Sequence, residues 1–231
     1  PSINTKFPEY YPTLTLDEDE LLFTRRIENA NAFNGVHEDF YVSNKENDQW
    51  GNAKNLRVVN TLMNEGAPSY SANGRILFFT ACQLFDDYGA GRTGYGSCDL
   101  FYAYKEGENW TVAMNLGGVI NSGVWESQPS FSADGKTLYF VRGKRSGQGI
   151  SHQDIWSAEL NENGTWSKPA KIPGLVNTPE VEESVFIHPD GQTLYFASDG
   201  HPGMGGLDLF MSRKHPDGSW GEPVNLGYPI N

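Results

Sequence analysis

The stretch Pro129-Ser-Phe-Ser-Ala-Asp-Gly-Lys-Thr-Leu-Tyr-Phe140 decides the fold, because similar segments recur at regular distances along the 231-residue chain. It joins an alternating segment to an apolar run through an Asp-Gly dipeptide, which predicts two short strands and a tight turn. The apolar run recurs as Leu21-Leu-Phe23, Leu77-Phe-Phe79 and Leu194-Tyr-Phe196. Neighbouring side chains of a strand point to opposite faces, so we expect sheets that are apolar on both faces and covered by other sheets.

Other residues repeat in step with this stretch. An asparagine recurs every 54 to 61 residues, at Asn4, Asn60, Asn121, Asn177 and Asn231. A glutamate lies five residues after each of the first four asparagines, at Glu9, Glu65, Glu126 and Glu182. An aspartate begins the predicted third strand of each repeat, at Asp39, Asp99, Asp154 and Asp208. A tryptophan precedes the predicted fourth strand, at Trp50, Trp110, Trp166 and Trp220. No stretch has a convincing helical period. Repeats of this size and content predict an all-β fold, a β-propeller built of four-stranded antiparallel blades.

The four repeats divide the chain into blades at approximately 4–59, 60–120, 121–176 and 177–231, within one propeller domain. Every copy has the same phase, and Asn231 would open another. We therefore expect at least one further blade outside this chain, which would be a fragment of a longer multidomain protein. The first copy has Asp17-Glu18 where the others have Asn-Gly or Asp-Gly, so we expect a longer or different turn there.

Composition narrows the functional classes. The net charge of −12 argues against nucleic acid as a partner, since phosphate binding requires a basic surface. No apolar run is long enough to span a bilayer, so no transmembrane segment is expected.

The two cysteines lie at the predicted ends of neighbouring antiparallel strands. A disulfide between Cys82 and Cys98 would close a loop of 15 residues, Gln83 to Ser97, and would contribute about 3 kcal/mol in the chain-entropy model. It would also imply an extracytoplasmic compartment. The alternative is a pair of free, partly buried thiols.

The third and fourth repeats resemble a known family. The Pro129–Phe140 stretch is similar to the TolB-type (WD-repeat-like) propeller repeat. The segments Ile187–Phe210 and Trp220–Asn231 resemble the propeller of Bacteroidetes OmpA-family envelope proteins, most of all the PorE-type lipoproteins of the type IX secretion system. The resemblance covers all four repeats and departs at Glu18, Asn73 and Val185.

This resemblance implies a location and a role. It implies a periplasmic, outer-membrane-associated scaffold for other envelope or secretion-system proteins, with a peptidoglycan link through a separate domain outside this chain. It also implies a fifth blade.

The four repeated glutamates are the first candidate site. The first strand of each blade is innermost, so Glu9, Glu65, Glu126 and Glu182 are expected to surround one mouth of the central channel. Such a ring could hold a cation. The alternative, which we favour, is that each carboxylate accepts hydrogen bonds from loop backbone and keeps the blades in register. We expect no metal ion and no cofactor.

Catalysis is not expected from the sequence. Glycoside cleavage requires two carboxylates in distinct environments, whereas the acids found here recur symmetrically. The histidines are scattered without metal-ligand spacing, at His37, His152, His188, His201 and His215. No nucleophile elbow or phosphate-binding loop occurs. We therefore predict a chain that is not an enzyme and has no catalytic residues.

The connections between the second and third strands are the second candidate site, because they differ in every repeat. Arg142, Lys144 and Arg145 form a basic cluster on an acidic chain, and Phe33, Phe85 and Tyr88 place aromatic rings in loops. Exposed arginine and aromatic side chains are typical of contact surfaces. The alternative is that these are ordinary solvated loops. We predict a protein-interaction propeller; the alternative function is a carbohydrate-binding or glycoside-acting propeller.

Overall fold

The computed structural model describes residues 3–30, 32, 35–147 and 149–231, and within these ranges it contains β-strands and no helix. The longer strands are β1 (Glu9–Leu14), β2 (Glu20–Glu28), β3 (Val36–Glu46), β6 (Asn64–Tyr70), β7 (Ile76–Cys82), β8 (Cys98–Glu106), β11 (Trp125–Phe131), β12 (Thr137–Ser146), β13 (Gly149–Glu159), β15 (Glu182–Ile187), β16 (Thr193–Ser198) and β17 (Asp208–Arg213). Two-residue strands are β4 (Gln49–Trp50), β5 (Lys54–Asn55), β9 (Asn109–Trp110), β10 (Met114–Asn115), β14 (Ala170–Lys171) and β18 (Val224–Asn225).

Each repeat forms the same antiparallel unit. Three long strands pair in chain order, as in β15–β16–β17, and a two-residue strand pairs with the third. In repeats 3 and 4 the short strand follows Pro169 or Pro223, which lack the amide hydrogen needed to extend the pairing. Blades of four full-length strands are thus not confirmed, because the fourth strand has only two residues. The strands hydrogen-bond into three sheets, with no closed ring of strands in the described part of the chain.

The core lies between consecutive repeats. Phe79 of β7 packs towards repeat 1, against Phe40, while Phe78, next to it in sequence, packs towards repeat 3, against Phe131. Both faces of this sheet are therefore buried, as the sequence predicts. A third cluster, around Phe196, joins repeats 3 and 4.

The repeated tryptophans belong to these clusters. Trp110, Trp166 and Trp220 each pack in the cluster shared with the preceding repeat. Trp50 instead lines an open cavity with Leu21, on the face of repeat 1 turned away from repeat 2. The tryptophans act as packing residues at the contacts between repeats.

The hairpin turn between the first and second strands has the same geometry in all four repeats. Gly74, Gly135 and Gly191 have φ values of 64°, 72° and 67°, and each amide donates to the carbonyl three residues earlier. Glu18 occupies the same position with a φ of 58°, and its amide donates to Thr15. The expectation of a different first turn is therefore wrong. The same backbone hydrogen bond holds the left-handed conformation at Glu18, although this residue has a side chain and glycine does not.

The innermost strand of each repeat contains a bulge. Its register against the second strand shifts at one place in β1, β6, β11 and β15. The residue two positions after the repeated glutamate has a positive φ in each, at Tyr11, Ala67, Gln128 and Ser184. Bulges of this kind turn the strand and re-aim its side chains. Consecutive inner strands pack together, β1 with β6, β6 with β11 and β11 with β15.

Candidate functional site: clamps, loop face and axial recess

The repeated asparagine joins each repeat to the one before it. Asn121 is 2% exposed; its Oδ1 accepts from the amide of Leu100 at 2.8 Å and its Nδ2 donates to the Leu100 carbonyl at 2.9 Å. Leu100 follows the repeated aspartate in β8. The same two-bond contact joins Asn60 to Phe40, Asn177 to Ile155 and Asn231 to Leu209. This asparagine therefore supplies the acceptor for a strand amide and adds a second donor to a carbonyl that also accepts a backbone amide, as the Leu100 carbonyl does from Leu116.

The repeated aspartate fixes the same corner. Asp99 accepts from the amides of Tyr95 and Gly96 at 2.8 and 3.0 Å and from Asn115 Nδ2 at 2.8 Å. Asn115 in turn accepts from Asn121 at 2.8 Å. Aspartate, fourth-strand asparagine and opening asparagine thus form one hydrogen-bonded chain.

In repeat 3 a lysine replaces the fourth-strand asparagine. Lys171 Nζ lies 2.7 Å from Asp154, so the corner is held by an ion pair instead of an amide.

The repeated glutamate is a second clamp. In each repeat its carboxylate accepts both the amide and the hydroxyl hydrogen of the Ser or Thr four residues earlier, at Thr5, Thr61, Ser122 and Thr178. Glu65, Glu126 and Glu182 have no exposed surface. Each carboxylate thus closes a local loop with its own donors.

The partner that completes this clamp is not the same in all repeats. Arg25 and Arg142 lie directly across the strand pair from Glu9 and Glu126, at 2.8 and 2.7 Å. In repeat 2 the cross-strand residue is Ala81, and the cation comes instead from a loop. Arg92 Nη1 lies 2.8 Å from Glu65.

Repeat 4 replaces the arginine with two residues. Ser198 Oγ donates to Glu182 at 2.9 Å, and the His201 ring contacts the Val176 carbonyl at 3.1 Å. In the other repeats an arginine reaches the equivalent carbonyl, as Arg142 does at Ile120.

Burial changes the acidity of these clamps. It raises the pKa of Glu65 to about 7, against the lowering effect of Thr61 and Arg92. Burial also lowers the pKa of the Arg92 guanidinium and raises that of the Glu126 carboxyl. The glutamates are therefore separate buried clamps. The described residues include no group of three or more His, Cys, Asp or Glu side chains arranged to hold a metal.

Two residues predicted for the contact surface are engaged within the protein, Tyr88 buried and Arg142 half-buried. Arg142 pairs with Glu126 and its guanidinium stacks 4.6 Å from the Trp156 ring centre. Tyr88 is 2% exposed, packs on Phe101 and donates its hydroxyl hydrogen to the Gly96 carbonyl. Loop sequence suggested exposure for both. However, the cross-strand acid Glu126 holds Arg142 half-buried, and a loop folded back on the core buries Tyr88.

The other predicted contact residues are differently placed. Phe85 is 78% exposed, and Lys144 and Arg145 are exposed on the β12–β13 hairpin. Phe33 lies outside the described residues. Phe85, Lys144 and Arg145 share the loop face, which we define as the face formed by the connections between the second and third strands.

Sequence reasoning missed three apolar side chains of the loop face. Tyr95, Met204 and Leu207 are 56%, 63% and 48% exposed. Each sits in a segment that changes from repeat to repeat. Comparing the repeats for apolar residues at non-repeating positions would have found them.

The predicted disulfide between Cys82 and Cys98 is confirmed. The two residues are directly paired across β7 and β8, with Cα atoms 4.0 Å apart. The disulfide closes the loop that carries Phe85 and Arg92 and so anchors both the loop face and the repeat 2 clamp.

A chain of cavities runs along the inner strands. On the loop-face side is a cavity of about 340 Å³, the axial recess, lined in part by Tyr10, Glu38 and Trp125. A narrower space of about 190 Å³ follows, around Gln128 and Ser184. Gln128 crosses it, since its Nε2 donates to the hydroxyl of Tyr11 at 2.8 Å and its Oε1 accepts from the Ser184 amide at 2.6 Å.

Solved structures share this architecture. The chain is similar to TolB from Acinetobacter baumannii, with a TM-score of 0.54 and 13% identity over 92% of this chain and 42% of that one. It is also similar to an α-L-arabinofuranosidase from Lactobacillus brevis (TM-score 0.54, 12% identity, 96% and 77% covered). A third is the periplasmic gluconolactonase of Pseudomonas aeruginosa (0.51, 14%, 94% and 56%).

These similarities show a fold of the TolB-type β-propeller class and no more, because identity is low. The chain spans less than half the length of TolB. No family model and no curated protein matches the sequence. Among the residues described, no long apolar helix is present that could cross a membrane.

The comparisons overturn the prediction that this chain is not an enzyme. The same fold carries a gluconolactonase and an arabinofuranosidase. The symmetric recurrence of the acidic residues argued only against an active site made of repeated residues. Non-repeating loop residues can also supply catalytic groups. A shared fold assigns no activity to this chain.

Proposed function

We propose that this propeller is a protein-interaction module of a periplasmic, outer-membrane-associated assembly. The single observation that carries the proposal is the loop face. It bears four exposed apolar side chains, at Phe85, Tyr95, Met204 and Leu207, whereas the repeated polar residues around them are engaged in clamps. Exposed aromatic and Met side chains are enriched at protein contacts.

The loop face is also built to hold its shape. The Cys82–Cys98 disulfide and the Arg92–Glu65 pair fix both the ends and the middle of the loop that carries Phe85. A preorganised loop loses less conformational entropy when a partner binds. Lys144 and Arg145 add positive charge at the edge of this face, where it would speed association with an acidic partner.

The proposed compartment rests on the disulfide and on the sequence resemblance. Stable disulfides are typical of exported proteins. The resemblance to Bacteroidetes OmpA-family envelope proteins, including PorE-type lipoproteins of the type IX secretion system, supports an envelope or secretion-system complex. A separate peptidoglycan-binding domain would then anchor the protein.

We also infer that each repeat is a blade and that a further unit of this kind covers the two outer faces. In repeat 1, Trp50 and Leu21 lie beside an open cavity. The equivalent residues of repeat 3, Trp166 and Leu138, pack against repeat 2. On repeat 4 the side chain of Leu209, equivalent to the fully buried Leu100, is 38% exposed. Another repeat would bury both faces as the internal contacts do.

Capture from envelope extracts tests the proposed interface. Phe85→Ser and the double change Lys144→Glu/Arg145→Glu should each reduce recovery of specific partners. Val112 is 66% exposed and lies away from the loop face, so Val112→Ser is the control for Phe85→Ser. The double change Lys136→Glu/Lys168→Glu, at two exposed lysines, is the control for Lys144→Glu/Arg145→Glu. Equal recovery by loop-face and control variants would refute the interface. Release of sugars from envelope glycans by the purified domain would support the glycoside-acting alternative instead.

A further inference from the structure

The axial recess lies where the inner strands of repeats 1, 2 and 3 converge. The residue directly after the repeated glutamate reaches it from each, namely Tyr10, Gly66 and Ser127. Glu183 holds this position in repeat 4. This position lines the recess in three repeats, and in repeat 4 it lies near Tyr11, another lining residue, because burial and then the charge of Glu183 raise the pKa of Tyr11. The residue type at this position differs in each repeat, unlike the repeated glutamate before it.

Two carboxylates lie in this region, Glu38 in the wall of the recess and Glu183 near Tyr11 of that wall. Glu38 Oε1 accepts from the hydroxyl of Tyr10 at 2.5 Å, and the Glu38 amide donates to Asn64. The Glu183 carboxylate has no hydrogen bond or ion pair with any described residue. Burial, followed by the nearby charge of Asp199, raises the pKa of Glu183.

Positive charge near the recess is sparse. Arg26 is exposed and lies across the strand pair from Glu38, without an ion pair to it in the described ranges. Arg142 is committed to Glu126 and Arg92 to Glu65. Arg26 thus places one positive charge near Tyr10, whereas Glu183 has no ion pair among the described residues, on a chain of net charge −12.

Aromatic rings complete the wall. The Tyr10 and Tyr11 rings meet edge to face, 5.5 Å between centres, and Trp125 lines the same cavity half-buried. Burial and Glu38 raise the pKa of Tyr10, so its hydroxyl stays protonated and donates to that carboxylate. Carboxylates combined with Trp and Tyr faces form an environment suited to organic cations, which gain both ionic and cation–π attraction.

We propose that the axial recess binds an alkylammonium group, the side-chain ammonium of a lysine presented by a partner protein. Glu183 and Glu38 neutralise the charge, and the Tyr10 and Trp125 rings contact the methylene chain. The volume of about 340 Å³ accommodates an extended side chain and lies at the small end of ligand pockets. That the lysine belongs to a partner protein rests on the proposed interaction function. The ammonium site itself does not depend on that function.

A capped Gly-Gly-Lys-Gly-Gly peptide is the probe, with the same peptide carrying norleucine as the uncharged control. Each is titrated into the isotope-labelled protein while the Trp125 indole and Gln128 side-chain amide resonances are followed. Trp125→Phe assigns the indole signal. Saturable shifts with lysine and none with norleucine are expected. Equal shifts with both peptides, or none with either, would overturn the proposal.

Variants then separate a local site from the general field of an acidic protein. Glu183→Gln should weaken lysine-peptide binding by about tenfold. Glu162→Gln removes the same charge from an exposed position far from the recess and should leave binding nearly unchanged. Equal weakening by the two variants would overturn the site. Glu38→Gln provides a second reading if Glu183→Gln alters the fold, as judged by its amide spectrum.

The two proposals can fail independently. Peptide binding at the recess, with unchanged partner capture in the Phe85 variant, would refute the loop interface and leave the ammonium site standing. Reduced partner capture by the Phe85 variant, without peptide binding at the recess, would support the loop interface and refute the ammonium site.

Discussion

Arg142 Nε lies 2.7 Å from Oε1 of Glu126, its cross-strand neighbour, and Arg142 Nη2 donates to the carbonyl of Ile120 at 2.7 Å. One guanidinium thus joins the second strand of repeat 3, the buried carboxylate of the first strand and the segment entering the repeat. Repeat 2 builds the same junction with Arg92, which arrives from a loop.

The first prediction concerns this junction. Arg142→Ala should lower the free energy of unfolding by about 3 kcal/mol, because it leaves a buried carboxylate without its cation. Arg145→Ala, three residues along the same strand but exposed, should change it by less than about 0.5 kcal/mol. Urea unfolding followed by tryptophan fluorescence measures both. Similar midpoints for the two variants would contradict a structural role for Arg142.

The second prediction concerns pH. The pKa of Glu65 is raised by burial from 4.5 to about 7 in the folded protein, so the folded state holds a proton that the unfolded chain has released. The resulting stabilisation is complete below pH 4.5 and is lost as the pH rises to about 7. Glu65→Gln should therefore reduce the fall in stability across this window.

Unfolding midpoints at the two ends of the window, for wild type and Glu65→Gln, test this effect. Glu46→Gln, at an exposed position of β3, is the control and should keep the wild-type pH profile. A Glu65→Gln profile as steep as that of wild type would exclude Glu65 as the titrating group.

The third prediction uses two asparagines at the same repeat position. Asn121→Ala leaves the buried Leu100 amide without its side-chain acceptor, while the Leu100 carbonyl keeps the Leu116 amide, and should cost about 2 kcal/mol. Asn4→Ala should cost almost nothing, since Asn4 is exposed. Thermal unfolding of both variants compares them directly. A loss at Asn4 as large as at Asn121 would show that the repeat position, rather than the contact, sets the cost.

The fourth prediction concerns the hairpin turns. Glu18→Gly should raise stability by about 1 kcal/mol, because glycine adopts the left-handed conformation without the cost that a side chain imposes. Gly135→Val should lower stability by about 1–2 kcal/mol for the same reason. Chemical denaturation measures the pair. A destabilising Glu18→Gly change would mean that the Glu18 side chain itself stabilises the turn.

The sequence predicted the features that depend on neighbours along the chain. Strand order, the glycine turns at Gly135 and Gly191 and the Cys82–Cys98 pairing all follow from spacing, because antiparallel neighbours joined by short turns have a fixed register. The apolar pairs of the second strand likewise predicted sheets buried on both faces.

Contacts across space required the tertiary structure. Ala81 replaces the cross-strand arginine in repeat 2, and only folding of the following loop shows that Arg92 fills its place and that Tyr88 is buried. Loop conformation depends on which buried groups need partners, and residue type alone does not reveal this. The repeat motif thus determined the scaffold, whereas the non-repeating residues acquired their roles, from clamp to exposed contact, through packing between distant segments.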